Sequence, residues 1–135
     1  MAEHSILVVD DELLIRDLLY DFFQSQGWRI SVAENGEKAL QVLESERIDL
    51  VLTDIKMPIM DGITLTRHLR EDHPEIPVVI MTGYPSVDSA IESLRQKVAD
   101  YIVKPFNINK LYKSVQSQVD AAGNKKNRGN ELDDN

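Results

Sequence analysis

Five short apolar runs, separated by stretches with helical spacing, limit what this chain can become more than any other feature. The runs are Ile6 to Val9, Arg29 to Ala33, Leu50 to Thr53, Val78 to Met81 and Tyr101 to Val103. Their length and β-branched content predict strands. Ile30 and Val32 alternate with polar neighbours in the second run. The first, third and fourth are nearly continuous apolar runs, as expected of strands covered on both faces.

Between the runs the period changes. Leu14, Leu18 and Phe22, with Ile15, Leu19 and Phe23, mark a broad helical face, and Gly27 is a natural C-cap. Asn35 can cap a second helix whose stripe is Ala39, Leu40 and Leu43. Asp61-Gly62 opens a third, with Ile63 near its start and Leu65 and Leu69 as its stripe. The cluster His73-Pro74-Glu75-Ile76-Pro77 then breaks it. Pro85-Ser86 starts a fourth, with Val87, Ala90, Ile91 and Leu94 at i, i+3, i+4 and i+7. Ile108, Leu111, Tyr112, Val115 and Val119 mark the last. Strict alternation of strand and helix predicts an α/β fold, a five-stranded parallel sheet with helices on both faces.

The length of 135 residues suits one domain. Residues 1–121 are expected to form it, and the polar stretch 122–135 to be disordered. Acids outnumber bases 23 to 15, a formal charge of −8, which argues against direct nucleic-acid binding. There is no cysteine, so disulfides and thiolate chemistry are excluded, and the composition fits a cytoplasmic address. No apolar run approaches the roughly 20 residues of a membrane span. Met1-Ala2-Glu3-His4-Ser5 lacks the basic and apolar regions of a signal peptide.

Ligands of open parallel sheets bind beyond the carboxyl ends of the strands. Asp10, Asp11 and Glu12 follow the first strand, Asp54 ends the third, Thr82 the fourth and Lys104 the fifth. Carboxylates gathered at one edge repel each other, and a hard cation relieves them. Few carboxylates with waters and a phosphate describe a Mg²⁺ site. Lys104 and the Thr82 hydroxyl suit phosphoryl oxygens. A carboxylate can itself be a nucleophile toward phosphorus, and Asp54 is the best candidate because its strand should lie mid-sheet.

These residues sit in Val8-Val9-Asp10-Asp11-Glu12, Thr53-Asp54-Ile55-Lys56-Met57-Pro58, Met60-Asp61-Gly62, Met81-Thr82-Gly83 and Asp100-Tyr101-Ile102-Val103-Lys104-Pro105-Phe106. In that order the chain resembles the receiver domain of two-component response regulators, over Ser5 to Val119. The resemblance implies a flavodoxin-like fold with strand order 2-1-3-4-5. It implies a signalling domain that catalyses only its own phosphorylation and dephosphorylation. Asp54 would accept the phosphoryl group from a sensor histidine kinase or a histidine phosphotransfer protein. Asp10, Asp11, Asp54 and the main-chain carbonyl of Lys56 would hold Mg²⁺. Lys104 would bind the phosphoryl group, Thr82 would swing toward it, and Tyr101 would follow inward as the switch aromatic. Output would leave through the fourth helix, fifth strand and fifth helix, and the Lys104–Pro105 bond would be cis.

Two features depart from the commonest family pattern. Lys97 stands where the family often has glycine, and a left-handed backbone there costs lysine about 1 kcal/mol. Lys56 and Tyr84 occupy variable positions, and Tyr84 is expected to shield the phosphoryl group from water. Other functions fit less well. An aspartate-nucleophile phosphatase wants an acid two residues after the nucleophile, where this chain has Lys56. A flavin carrier wants a glycine- and hydroxyl-rich loop after the first strand, where this chain has three acids. A phosphorylation-independent binding module would not need the acids, Thr82 and Lys104 together. The length leaves no room after Val119 for an output domain. A stand-alone regulator and a receiver cut from a multidomain one are both expected forms.

Overall fold

A computed structural model describes residues 3–133, with side chains through residue 123. The elements follow in strict alternation. They are β1 (Ser5–Val9), α1 (Leu13–Ser25), β2 (Arg29–Ala33), α2 (Gly36–Ser45) and β3 (Leu50–Asp54). Then come α3 (Gly62–Asp72), β4 (Val78–Thr82), α4 (Val87–Arg95), β5 (Asp100–Val103) and α5 (Ile108–Asp133). The strands form one parallel sheet in the order β2-β1-β3-β4-β5, as the sequence predicts.

Alternate residues of the central strands feed two cores, because successive side chains leave a strand on opposite faces. Ile6, Val8, Leu50 and Leu52 pack with Leu19 and Phe23 of α1 and Leu111, Val115 and Val119 of α5. Leu7, Val9 and Val51 pack with Ala39 and Leu43 of α2 and Leu65 and Leu69 of α3. Every residue of β1, β3 and β4 is buried, which is why those runs show no polar alternation.

Local chemistry sets the helix ends. Asn35 Oδ1 accepts from Lys38 N–H at 2.9 Å, and Asp61 Oδ1 accepts from Thr64 N–H at 2.8 Å. Gly27, at φ 85°, turns the chain out of α1. Trp28 packs there, edge-on to Phe23, with its indole N–H donating to the Tyr112 hydroxyl at 3.2 Å. Lys97 has φ 57°, so the left-handed conformation that would cost a lysine there is present. The Lys104–Pro105 bond is cis.

Two apolar stripes do not face inward. In α1, Leu14 and Leu18 are exposed, and Leu19 and Phe23 carry the burial. Six apolar side chains span more of the helix circumference than one sheet face can cover. In α4, Val87, Ile91 and Leu94 are exposed and Ser93 is buried. That helix meets the sheet-edge strand β5 through Ser89 Oγ, 2.8 Å from the Tyr101 hydroxyl. Finally, α5 continues to Asp133, past the boundary that composition places at residue 122. Nothing in 108–133 is a proline, so no residue there forces the helix to stop.

Candidate functional site

The strand order reverses direction between β1 and β3, and this is where an open α/β sheet leaves a crevice at its carboxyl edge. Asp10 directly follows β1 and Asp54 ends β3. Val9 and Thr53 are register partners, so the two carboxylates emerge side by side. Both are buried, Asp10 completely and Asp54 to 5% exposure.

Lys104 arrives from the loop after β5 and bridges them. Its Nζ donates to Asp10 Oδ2 at 2.7 Å and Asp54 Oδ2 at 2.9 Å, and Glu12 Oε1 is 3.5 Å away. The remaining oxygens take backbone donors. Asp10 Oδ1 accepts from Glu12 N–H at 2.9 Å, and Asp54 Oδ1 accepts from Ile55 N–H at 2.7 Å. The lysine is fixed from behind, since its own N–H donates to the Thr82 carbonyl at 2.8 Å.

The charges do not balance. Asp10, Asp11, Glu12 and Asp54 each bring a carboxylate oxygen within 4.8 Å of the others, against the ammonium of Lys104 and the guanidinium of Arg16, which donates to the Asp10 main-chain carbonyl at 2.8 Å. Burial pushes the Asp10 carboxyl above its usual range, even though Lys104 and the Glu12 N–H pull it down. Burial opposes the charge on Lys104, but hydrogen bonds and attraction from Asp10 and Asp54 outweigh it and raise its affinity for the proton. An acid cluster that is under-neutralised and partly buried matches the donor set of a hard divalent cation. Asp11 and Glu12 are exposed, leaving an open approach. Lys56 lines one cleft together with Asp11 and Asp61.

Thr82 is buried at the end of β4, and its hydroxyl accepts from Tyr84 N–H at 3.1 Å. An accepted bond leaves the hydroxyl proton available to donate. Tyr101 is half-buried on β5, and its hydroxyl lies 2.8 Å from Ser89 Oγ on α4. The sequence therefore foresees the gathering of Asp10, Asp11, Asp54 and Lys104 at one edge. Thr82 stands beside that group and Tyr101 turns toward α4.

Three further features had weak sequence signals or none. Gly62 reads as part of a helix cap, yet a Cβ on it would lie 1.9 Å from the Asp54 carbonyl oxygen. Its N–H donates to the Ile55 carbonyl at 2.8 Å, so bare backbone is packed against the Asp54 peptide. Ile59 has φ 71°, an unfavourable conformation for a β-branched residue, in a tight turn where Met60 N–H reaches the Pro58 carbonyl at 2.7 Å. The Lys56 ammonium sits 4.6 Å from the centre of the Tyr84 ring, linking the loops after β3 and β4.

Fold and site together define a doubly wound α/β domain with a lysine-bridged carboxylate centre at its switch point. The profile of the response regulator receiver domain matches residues 6–116, and the chain belongs to that family. It is 42% identical over 106 residues to the transcriptional regulatory protein ZraR of Klebsiella oxytoca, covering 78% of this chain and 24% of that protein. It is 39% identical to the regulatory protein AtoC of Escherichia coli, covering 93% of this chain and 27% of that one. The chain thus spans about a quarter of the length of these curated relatives. Among solved structures, a CheY-like receiver domain protein from Methanospirillum hungatei superposes with a TM-score of 0.89 at 28% identity, covering 92% of this chain and 99% of that one. The response regulator TrrA of Thermotoga maritima, solved in complex with Mg²⁺-BeF, superposes with a TM-score of 0.77 at 36% identity, covering 85% and 98% of the two chains.

Proposed function

We propose that this domain takes a phosphoryl group onto Asp54 from a histidine of a sensor kinase or histidine phosphotransfer protein, and changes its surface in response. The observation that supports this most is the lysine bridge, with Lys104 Nζ 2.7 Å from Asp10 and 2.9 Å from Asp54. It sets an always-charged ammonium beside a buried carboxylate at the mouth of the crevice.

A carboxylate oxygen of Asp54 attacks phosphorus, the P–N bond of the phosphohistidine breaks, and the imidazole leaves with the electron pair and gains a proton. The product is a mixed anhydride. Phosphoryl transfer needs positioning and charge neutralisation more than covalent chemistry. Lys104 neutralises one phosphoryl oxygen while remaining anchored by Asp10. Mg²⁺, when held by Asp10, Asp11, Asp54 and the Lys56 carbonyl, supplies the remaining positive charge. Thr82 donates a hydrogen bond from its hydroxyl to another phosphoryl oxygen and draws the loop after β4 with it. Tyr101, on the neighbouring strand, carries the change to α4.

The outward face of α4 and β5 supports an output by contact. Val87, Ile91, Leu94 and Val103 are all exposed there, and apolar side chains grouped in this way suit a partner surface. Likeness to the transcriptional regulatory protein ZraR supports transcription control as the output. Among the described residues no helix is long and apolar enough to cross a membrane.

Incubation with acetyl phosphate and Mg²⁺, followed by intact mass measurement, tests the reading. The wild type gains one phosphoryl mass, and EDTA or Asp54→Asn removes the gain. An undiminished adduct on Asp54→Asn would sink it.

A further inference from the structure

We propose that Ser89 is a positioning residue, its hydroxyl being the joint through which Tyr101 on β5 holds the N-terminus of α4. The joint is a property of the unmodified chain. Its use in signalling rests on the function proposed above.

The inference starts from how α4 is attached. Its apolar residues Val87, Ile91 and Leu94 face solvent, and only Ser93 is buried. The Ser93 hydroxyl donates back to the Ser89 carbonyl at 2.7 Å. The ion pair from Arg67 on α3 to Glu92, at 2.8 Å, involves an exposed arginine and so holds weakly. With little apolar anchorage, the hydroxyl contacts of α4 decide where its first turn sits.

Those contacts converge on Ser89. Its Oγ lies 3.3 Å from Ser86 N, 3.0 Å from Ser86 Oγ, 3.1 Å from Ser86 O and 2.8 Å from Tyr101 OH. A serine hydroxyl has one proton and two lone pairs, three places for four partners. Ser86 N–H must take a lone pair, and the Ser86 carbonyl can be served only by the proton. The Tyr101 and Ser86 hydroxyls are left to share the last place. The capping box and the tyrosine therefore compete, and the Tyr101 contact is the shortest of the four.

The other end of the same loop is also pinned by a hydroxyl, Thr82 Oγ1 accepting from Tyr84 N–H. Gly83, Tyr84 and Pro85 are thus held between two hydroxyl contacts, each able to change partner without exposing apolar surface. If Tyr101 leaves Ser89, the cap closes on Ser86 alone and the first turn of α4 loses its tie to the sheet.

Hydrogen exchange at the first-turn amides of α4 tests this, in the full chain. The proteins are wild type, Ser89→Ala, Tyr101→Phe, the double variant and Ser89→Thr, which keeps the hydroxyl. Trp28 fluorescence verifies folding, since that ring is buried in the core with residues of α1 and α5. Tyr101→Phe, which loses one contact, is expected to speed exchange about fivefold, the worth of one net hydrogen bond, and Ser89→Ala, which also loses its contacts to Ser86, by more. Because the Tyr101 contact is lost in both, the double variant should exchange no faster than Ser89→Ala, not the further roughly fivefold of independent effects. Ser89→Thr should restore slow exchange. If Tyr101→Phe leaves α4 unchanged, or the two effects multiply, Ser89 is a helix cap alone and the proposal fails.

A second arm adds beryllofluoride and Mg²⁺ as a stable phosphoryl mimic. Wild-type α4 should exchange faster on addition, and both single variants should respond less. A wild type that does not respond would count against the phosphorylation reading. The mutant cycle in unmodified protein would still decide the joint.

Discussion

Lys104→Met removes the ammonium that two buried carboxylates share and replaces it with an apolar chain of similar length. Each contact, at 2.7 and 2.9 Å, has a gross Coulomb energy of about 6 kcal/mol at an effective dielectric constant of 20. Burial of the ammonium and readmission of water offset most of this. Breaking a buried pair from one side costs about 3–5 kcal/mol, because the other charge stays behind. Exposed Asp11 and Glu12 keep one side of this cluster wet, so a loss of about 2–3 kcal/mol is expected without metal. In urea titrations followed by Trp28 fluorescence the midpoint should fall by about 1 M or more. The pH dependence gives the sign. The folded-state affinity of Asp10 for protons is already raised by burial, and Lys104 is what limits it. Without Lys104 it rises further, so the deficit should shrink as pH falls and Asp10 protonates. Lys104 itself is held above its ordinary range. Its contribution is therefore complete below its unfolded pKa and fades only as pH rises through the folded value. Asp10→Asn in the Lys104→Met background should recover much of the loss. A Lys104→Met protein as stable as wild type in EDTA, or a deficit that grows in acid, would refute this account of the charge cluster.

Other expectations follow from single contacts. Gly62→Ala places a methyl against the Asp54 carbonyl, where the Cβ would stand 1.9 Å from the oxygen. It should destabilise by about 2 kcal/mol in urea titration and slow phosphoryl uptake by shifting the Asp54 peptide. Lys97→Gly relieves a left-handed lysine at φ 57° and should stabilise by about 0.5–1 kcal/mol in the same assay. Tyr84→Ala removes the ring that lies under the Lys56 ammonium, and loss of the phosphoryl group, followed by mass over time, should be faster. An unchanged rate would show that Tyr84 does not exclude water.

The strands and the site were legible for the same reason. Runs covered on both faces stay apolar throughout, and the polar residues at the ends of four of them, Asp10, Asp54, Thr82 and Lys104, mark one edge of the sheet. Lys104 meets partners 94 and 50 residues away in sequence, yet the strand-end rule alone brings them together. Helix orientation was less legible. In α4 the apolar residues and the serines both recur at helical spacing, so periodicity predicts the helix but not which stripe turns inward. Hydropathy favours the apolar stripe, whereas the protein buries Ser93, joins Ser89 to Tyr101 and leaves Val87 and Leu94 exposed. The φ of Ile59 had no local signal, since a β-branched residue is a poor marker of left-handed backbone. Glycine after aspartate reads as a cap, and only the fold reveals that Gly62 lies against the Asp54 peptide.

Reductive trapping tests the central claim most directly. Protein exposed to acetyl phosphate and Mg²⁺ is treated with borohydride, which reduces an acyl phosphate to an alcohol and so converts aspartate to homoserine. Peptide mapping should then find homoserine at position 54, and none there when EDTA is present. Homoserine at Asp10 or Asp11, or no conversion at Asp54 in a sample carrying the phosphoryl mass, would contradict the assignment of Asp54 as acceptor.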